Sequence, residues 1–210
     1  MCNKICYVIG AGEFYYPLFS LKERDYVIAV DGGYQYLKDM GMQADMVIGD
    51  FDSLPERPDH PNVIALQKEK DDTDMIVALK KGLEKDYRVF YIYGGMGGRV
   101  DHTMANLQCL AFLSNRQARG YLFGKTNAIT AITDTHIDFE QTCRGIVSMF
   151  SHSDISTGVM IRGLKYELNN ATITNDFPIG ISNEFIGQKS SISVNKGTLL
   201  ITYPKDSTLC

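Results

Sequence analysis

Tryptophan is absent from the 210 residues, no CxxC pair occurs, and nothing approaches the ~20 consecutive apolar residues of a bilayer span. Each absence narrows the field. The five cysteines (Cys2, Cys6, Cys109, Cys143 and Cys210) are odd in number and scattered, which points to neither a disulfide framework nor a zinc site. They read as reduced thiols. The opening Met1–Gly10 is too short for a signal h-region, so a cytoplasmic location without membrane association is the expectation. A net charge of −4 leans against nucleic-acid or anionic-membrane partners, which favour basic patches. No internal repeat and no low-complexity tract is present. What remains is an ordinary globular composition, 44% apolar and 22% charged, long enough for one large domain or two modest ones.

Residues 1–125 alternate between short apolar, β-branched runs and helical periodicity. Lys4–Gly10, Asp25–Val30, Met46–Ile48, Asn62–Ala65 and Arg88–Tyr93 suit strands buried on both faces. Helices are expected over Gly33–Met40, closed by Gly41, over Asp74–Lys85 with Asp72 or Thr73 as N-cap, and over Asp101–Asn115. The alternation predicts an α/β unit, a mostly parallel sheet between helical layers. Residues 126–210 change character. Ala128–Thr133, Ile146–Phe150, Ala171–Thr174, Ser190–Val194 and Thr198–Tyr203 are short β-rich runs separated by turn residues, the pattern of an antiparallel β-sandwich or barrel. Two domains are therefore expected, 1–125 and 126–210.

Chemistry gathers at the ends of the predicted strands. The clusters are Asp31-Gly32-Gly33, Gly49-Asp50-Phe51-Asp52-Ser53, Asp71-Asp72-Thr73-Asp74 and Gly94-Gly95-Met96-Gly97-Gly98-Arg99-Val100-Asp101-His102. In an open α/β sheet, loops leaving the carboxyl ends of strands converge on one crevice. Single aspartates there are ordinarily caps or turns, and Asp31 is available as an N-cap. Asp39 and Asp45 read as surface or capping residues, and His60, His136 and His152 as surface or structural ones. Asp50 and Asp52 stand apart. On an extended segment, residues i and i+2 face the same way, so this pair forms a platform for a divalent cation. Three acids in Asp71–Asp74 exceed the need of one cap. The loop Gly94–Arg99 matches neither the P-loop nor GxGxxG, but between a strand and a helix it suits phosphate. Ser156-Thr157-Gly158, Gly163–Tyr166 and Gly180–Glu184 read locally as hairpin turns.

Taken together, these elements resemble thiamine pyrophosphokinase. The match rests on Asp31-Gly32-Gly33, Gly49-Asp50-Phe51-Asp52-Ser53, Lys70-Asp71-Asp72-Thr73-Asp74 and Gly94–His102 with Asn106. It continues through Ser156-Thr157, Gly163-Leu164-Lys165-Tyr166 and Ser182-Asn183-Glu184. The resemblance implies a catalytic α/β domain, a C-terminal β-sandwich, and a homodimer with thiamine at its interface. It also implies that Tyr166, which some members replace by tryptophan, stacks on thiamine.

On that resemblance, the expected reaction is pyrophosphoryl transfer from ATP to the hydroxyethyl oxygen of thiamine, giving AMP and thiamine diphosphate. Asp50, Asp52 and Asp74 are the expected Mg²⁺ ligands, with Asp31 and Asp71 lining the catalytic site and Asp71 the candidate proton acceptor. Gly95, Gly97, Gly98, Arg99, Asp101, His102 and Asn106 are the expected ATP-binding set. Tyr166, Ser182 and Asn183 are the expected substrate-binding set. Two alternatives stay open: a pyrophosphokinase acting on another alcohol, such as a hydroxymethyl pterin, and a non-catalytic nucleotide-binding module.

Overall fold

In a computed structural model, the described residues are 4–15, 20–51, 58–67 and 71–208. Two units divide the chain: Met1–Cys109 with Leu122–Gly124, and Leu110–Tyr121 with Lys125–Cys210. Asp52 lies outside the described residues.

The first unit is built on parallel strands β1 (Ile5–Ile9), β2 (Tyr26–Val30), β3 (Met46–Gly49), β4 (Val63–Ala65) and β5 (Val89–Tyr93). Their order is β5-β1-β2-β3-β4, with the neighbours paired parallel. Helices α1 (Gly33–Asp39), α2 (Asp74–Glu84) and α3 (Val100–Ser114) follow β2, β4 and β5. Alternation within the strands gives the sheet two apolar faces. Tyr7, Ile9, Val27 and Ala29 share a buried cluster with Leu37 of α1. Cys6 and Phe90 face α2 instead, so closely that a Cβ on Gly82 would lie 2.4 Å from Phe90 Cε1 and 3.1 Å from Cys6 Sγ. Helices therefore cover both faces.

The helix ends follow local chemistry. Thr73 caps α2, its Oγ1 accepting from Ile76 N–H at 3.3 Å, while Asp72 pairs with Lys80 at 2.5 Å. Helix α1 closes with Gly41 at φ +66, Gly41 N–H donating to Lys38 O and Met42 N–H to Leu37 O. Its N-cap is Gly32, without a side-chain cap, so Asp31 does not serve there and its carboxylate is directed elsewhere.

The second unit holds β7 (Asn127–Thr133), β8 (His136–Phe139), β9 (Ile146–Ser151) and β10 (Ile155–Arg162). It continues with β11 (Leu168–Thr174), β12 (Asn183–Glu184), β13 (Ser190–Ser193) and β14 (Thr198–Pro204). Antiparallel pairing gives the orders β12-β9-β14-β7 and β11-β10-β13-β8. Strand β6 (Arg119–Phe123) precedes them.

Ser156-Thr157-Gly158 corrects an expectation. It is no hairpin turn but lies within β10, where the register shifts between Ser156 and Val159 and Gly158 takes φ +65. A bulge uses the same small, turn-prone residues as a hairpin, which is why local chemistry reads alike for both.

Candidate active site

The site in the first unit forms where the strand order reverses. From β1 the chain steps outward through β2, β3 and β4, then returns to β5 on the other side of β1. In open α/β sheets, ligands bind outside the carboxyl ends of the strands at such a switch point. A cavity of about 380 Å³ occupies this place. Gly10, Ala11 and Gly12 line it from the end of β1, Val30 and Asp31 from β2, and Thr73, Asp74 and Met75 from the start of α2. The loop after β5 contributes Gly94, Gly95, Gly97, Gly98 and Arg99, and α3 contributes His102, Ala105 and Asn106.

Two glycine loops are locked together at its floor. Gly10 N–H donates to Tyr93 O at 2.8 Å, Gly12 N–H to Gly94 O at 2.7 Å, and Glu13 N–H to Met96 O at 2.8 Å. The approach is too close for side chains. A Cβ on Gly10 would sit 2.6 Å from Gly94 O, and one on Gly94, already at φ +63, would sit 2.3 Å from Gly10 O. The Tyr36 hydroxyl donates to Gly12 O at 3.0 Å and its ring stacks on Phe14 at 4.7 Å, which fixes the first loop from outside. From α3, the buried Asn106 Nδ2 donates to Gly95 O at 2.6 Å and pins the second.

Of the expected carboxylates, Asp31 and Asp74 stand on the cavity wall. Asp31 takes φ +46 and its Oδ1 overlies Gly49, where a Cβ would fall 1.9 Å away. The glycine before Asp50 thus makes room for the aspartate of the neighbouring strand. Asp50 follows β3 and Asp71 is exposed ahead of α2, and neither is among the lining residues. The extended geometry expected across residues 50–52 fails at Phe51, which takes φ +61 and buries its ring with Tyr7, Val27 and Leu37. Among the described residues no three His, Cys, Asp or Glu side chains group as a metal cage.

Arg99 reaches the rim, but its fork is occupied. Nη2 meets Asp101 Oδ2 at 2.5 Å and Nε meets Oδ1 at 3.2 Å. The hydrogen-bonded guanidinium holds the Asp101 carboxyl below the usual carboxylate range and raises the Arg99 pKa in return. His102 N–H donates to Asp101 Oδ1 at 3.0 Å, and the His102 side chain lines the cavity.

The second unit carries the other expected set. Tyr166 is 60% exposed, with Lys165 Nζ 5.8 Å from its ring centroid and paired to Glu184 Oε2 at 2.9 Å. Asn183 is 7% exposed, and its amide is committed to backbone: Oδ1 accepts from Tyr166 N–H at 3.0 Å and Glu184 N–H at 2.9 Å, while Nδ2 donates to Tyr166 O at 2.7 Å. Ser182 is exposed at φ +58, its N–H donating to Ser148 Oγ at 3.0 Å.

Comparison with known proteins assigns a family to this arrangement. The family model for the thiamin pyrophosphokinase catalytic domain matches residues 19–122, and that for the thiamin pyrophosphokinase vitamin B1 binding domain matches 134–199. The chain belongs to the thiamin pyrophosphokinase family. It is 33% identical to a thiamine pyrophosphokinase of Bacillus subtilis over 186 residues, 85% of this chain and 87% of that one. Its fold is similar to the crystal structure of thiamine pyrophosphokinase from Bacillus subtilis, with TM-score 0.85, 29% identity, and coverage of 97% of this chain and 100% of that one. The thiamin pyrophosphokinase of Geobacillus thermodenitrificans gives TM-score 0.83 at 28% identity, covering 98% and 100%.

Within this thiamin pyrophosphokinase family member, the catalytic-domain match contains Asp31, Asp74 and the Gly94–Asn106 stretch, and the B1-binding match contains Tyr166, Ser182 and Asn183. Gly10, Ala11 and Gly12 precede both matches, and sequence reasoning passed over them as sites. The available signal was a Gly-x-Gly directly after the first strand.

Proposed function

We propose that this chain transfers the pyrophosphoryl group of ATP to the hydroxyethyl oxygen of thiamine, releasing AMP and forming thiamine diphosphate. Family membership carries the reading. The cavity supports it, with backbone-lined glycine loops suited to phosphate beside two carboxylates. In the reaction the thiamine hydroxyl attacks the β-phosphorus. The new O–P bond forms as the bond to the α-phosphate bridging oxygen breaks, AMP departs, and the hydroxyl proton passes to a carboxylate, for which Asp71 is the candidate. The chain's part is chiefly positioning and charge neutralisation.

Mg²⁺ fits this donor set, because it is commonly held through one or two carboxylates together with substrate phosphates, and Asp31 and Asp74 offer oxygen ligands at the wall. Asp74, with Asp50 and Asp52, is assigned to hold it, and Asp31 to line the same site. When bound, the ion neutralises charge on the transferring phosphates. Gly95, Gly97, Gly98, Arg99, Asp101, His102 and Asn106 form the ATP side, whether by contact or by holding the loop. Tyr166 and Ser182 form the thiamine side, where an aromatic face suits the cationic thiazolium.

The second unit is assigned as a β-sandwich, supported by Phe139 of β8 packing edge-on against Tyr203 of β14 at 5.1 Å, a contact between its two sheets. A homodimer is supported by exposed Ile146 and Phe150 on β9 and Ile179 and Ile181 on the segment beside it, an apolar patch of the sort that marks interfaces. Among the described residues no helix is long and apolar enough to cross a membrane, and a cytoplasmic location is part of the reading. The test is AMP release with Mg²⁺ and ATP across thiamine, a hydroxymethyl pterin and other alcohols. Release that depends on thiamine supports the proposal. Release with the pterin alone, or none with any acceptor, overturns it.

A further inference from the structure

We infer that Asn183 is a positioning residue for Tyr166: its side chain stands in for a backbone partner and sets the aromatic face that receives thiamine. The inference rests on the reading that Tyr166 carries the substrate.

The geometry begins with two short antiparallel segments. Leu164 and Phe185 form a β-bridge, and Lys165 N–H donates to Glu184 O at 3.0 Å. Continued by one residue, this ladder would bring Tyr166 opposite Asn183. The backbone of Asn183 is instead paired with Val147 of β9, and Ser182 before it turns away at φ +58. Because Lys165 and Glu184 form the hydrogen-bonded position, the next pair is a non-hydrogen-bonded one, and Tyr166 finds no main-chain partner in Asn183 for its N–H or its carbonyl. The Asn183 amide supplies both, accepting from Tyr166 N–H at 3.0 Å and donating to Tyr166 O at 2.7 Å. A side-chain amide, with a donor and an acceptor in one planar group, can do this.

Asn183 is buried at 7% exposure while Tyr166 is 60% exposed, so the buried amide fixes the base of a residue that remains open. Glu184 adds to the frame by holding Lys165 Nζ at 2.9 Å. Asn183 thereby ties the loop between β10 and β11 to the strand pair β12–β9. Its amide is spent on backbone, and its influence on thiamine passes through the aromatic ring.

The experiment uses the full chain with Asn183→Ala, Asn183→Asp, Tyr166→Leu and both double variants, reading KM for thiamine, KM for ATP, kcat and the unfolding midpoint. Asn183→Asp keeps size and acceptor but sets a carboxylate oxygen against the Tyr166 carbonyl, so it reports even if the alanine variant fails to fold. Either Asn183 variant should raise KM for thiamine by roughly two- to thirty-fold, the worth of a cation over an aromatic face, and leave KM for ATP unchanged. In the Tyr166→Leu background the same substitution should add almost nothing, since the ring it positions is gone. Effects that multiply, or a fall in stability with thiamine KM unchanged, overturn the inference. Tyr166→Leu with a normal thiamine KM overturns it too, yet leaves the transferase reading standing. Absence of thiamine-dependent AMP release by the unmodified chain overturns both.

Discussion

Removing the Asn106 amide should damage ATP binding before it damages anything else. Asn106 is 8% exposed, and its Nδ2 meets Gly95 O at 2.6 Å. Gly95 is itself buried, and a Cβ there would lie 2.6 Å from Leu122 Cδ1, so the loop has little room to turn its carbonyl toward water. Asn106→Ala leaves that carbonyl without its donor, a desolvation penalty of about 1–3 kcal/mol. At about 2–4 °C per kcal/mol for a chain of this size, the melting midpoint should fall by several degrees. Asn106→Asp should be worse, because it sets carboxylate oxygen against carbonyl oxygen. Asn106→Leu should restore volume without restoring the bond. Since the loop so held lines the cavity, KM for ATP should rise several-fold in all three, with KM for thiamine moving less. The assay pairs urea unfolding with steady-state kinetics on the same preparations. Asn106→Asp with unfolding free energy within ~0.5 kcal/mol of the unmodified chain and an unchanged KM for ATP would refute the reasoning.

Three further outcomes can be checked. Gly94→Ala meets both a left-handed backbone and a 2.3 Å overlap with Gly10 O, so it should cost more than the ~1–2 kcal/mol of the conformation alone; a normal urea midpoint counts against the interlocked loops. Burial pushes the Cys109 thiol up to about 12, whereas an unfolded thiol ionises near 8.5. This contribution is therefore full below about pH 8.5 and declines as the pH climbs toward 12, because the unfolded chain sheds its proton first. Cys109→Ala should flatten the alkaline loss of stability, and identical slopes between about pH 8 and 11 would exclude the effect. Arg99→Gln should raise KM for ATP, most clearly at low ionic strength; a KM for ATP indifferent to it removes Arg99 from the phosphate side.

The parallel sheet was legible because its strands are buried on both faces. Val8-Ile9, Ile28-Ala29-Val30 and Val47-Ile48 are continuous apolar runs, and the structure puts β1, β2 and β3 over them. Strand β6 was not legible, because Arg119-Gly120-Tyr121 carries a charge, a glycine and a half-buried ring ahead of Leu122 and Phe123. Strand β8 alternates exposed His136 and Asp138 with buried Ile137 and Phe139, four residues too few to stand out. The acidic clusters announced themselves by composition. Which of them face one cavity depends on the positive φ of Asp31 and Phe51, and a pattern of residue types does not encode a dihedral angle. What the Asn183 amide bonds is equally hidden from the sequence. Its partner is the main chain of Tyr166, a neighbour brought close only by the meeting of two distant segments.

The reciprocal contact of Gly10 and Gly94 also bears on how such a site can diverge. Each carbonyl occupies the volume a side chain would need at the other position, so neither residue can be exchanged first and repaired by a change at its partner. A substitution at either one creates a clash with the main chain of the other, which no side-chain change at the partner removes. The two positions constrain each other although 83 residues of chain lie between them. Variation among descendants should therefore collect in the rims of the two loops, at positions such as Ala11 and Met96, while this pair stays fixed or is lost together with the loops themselves.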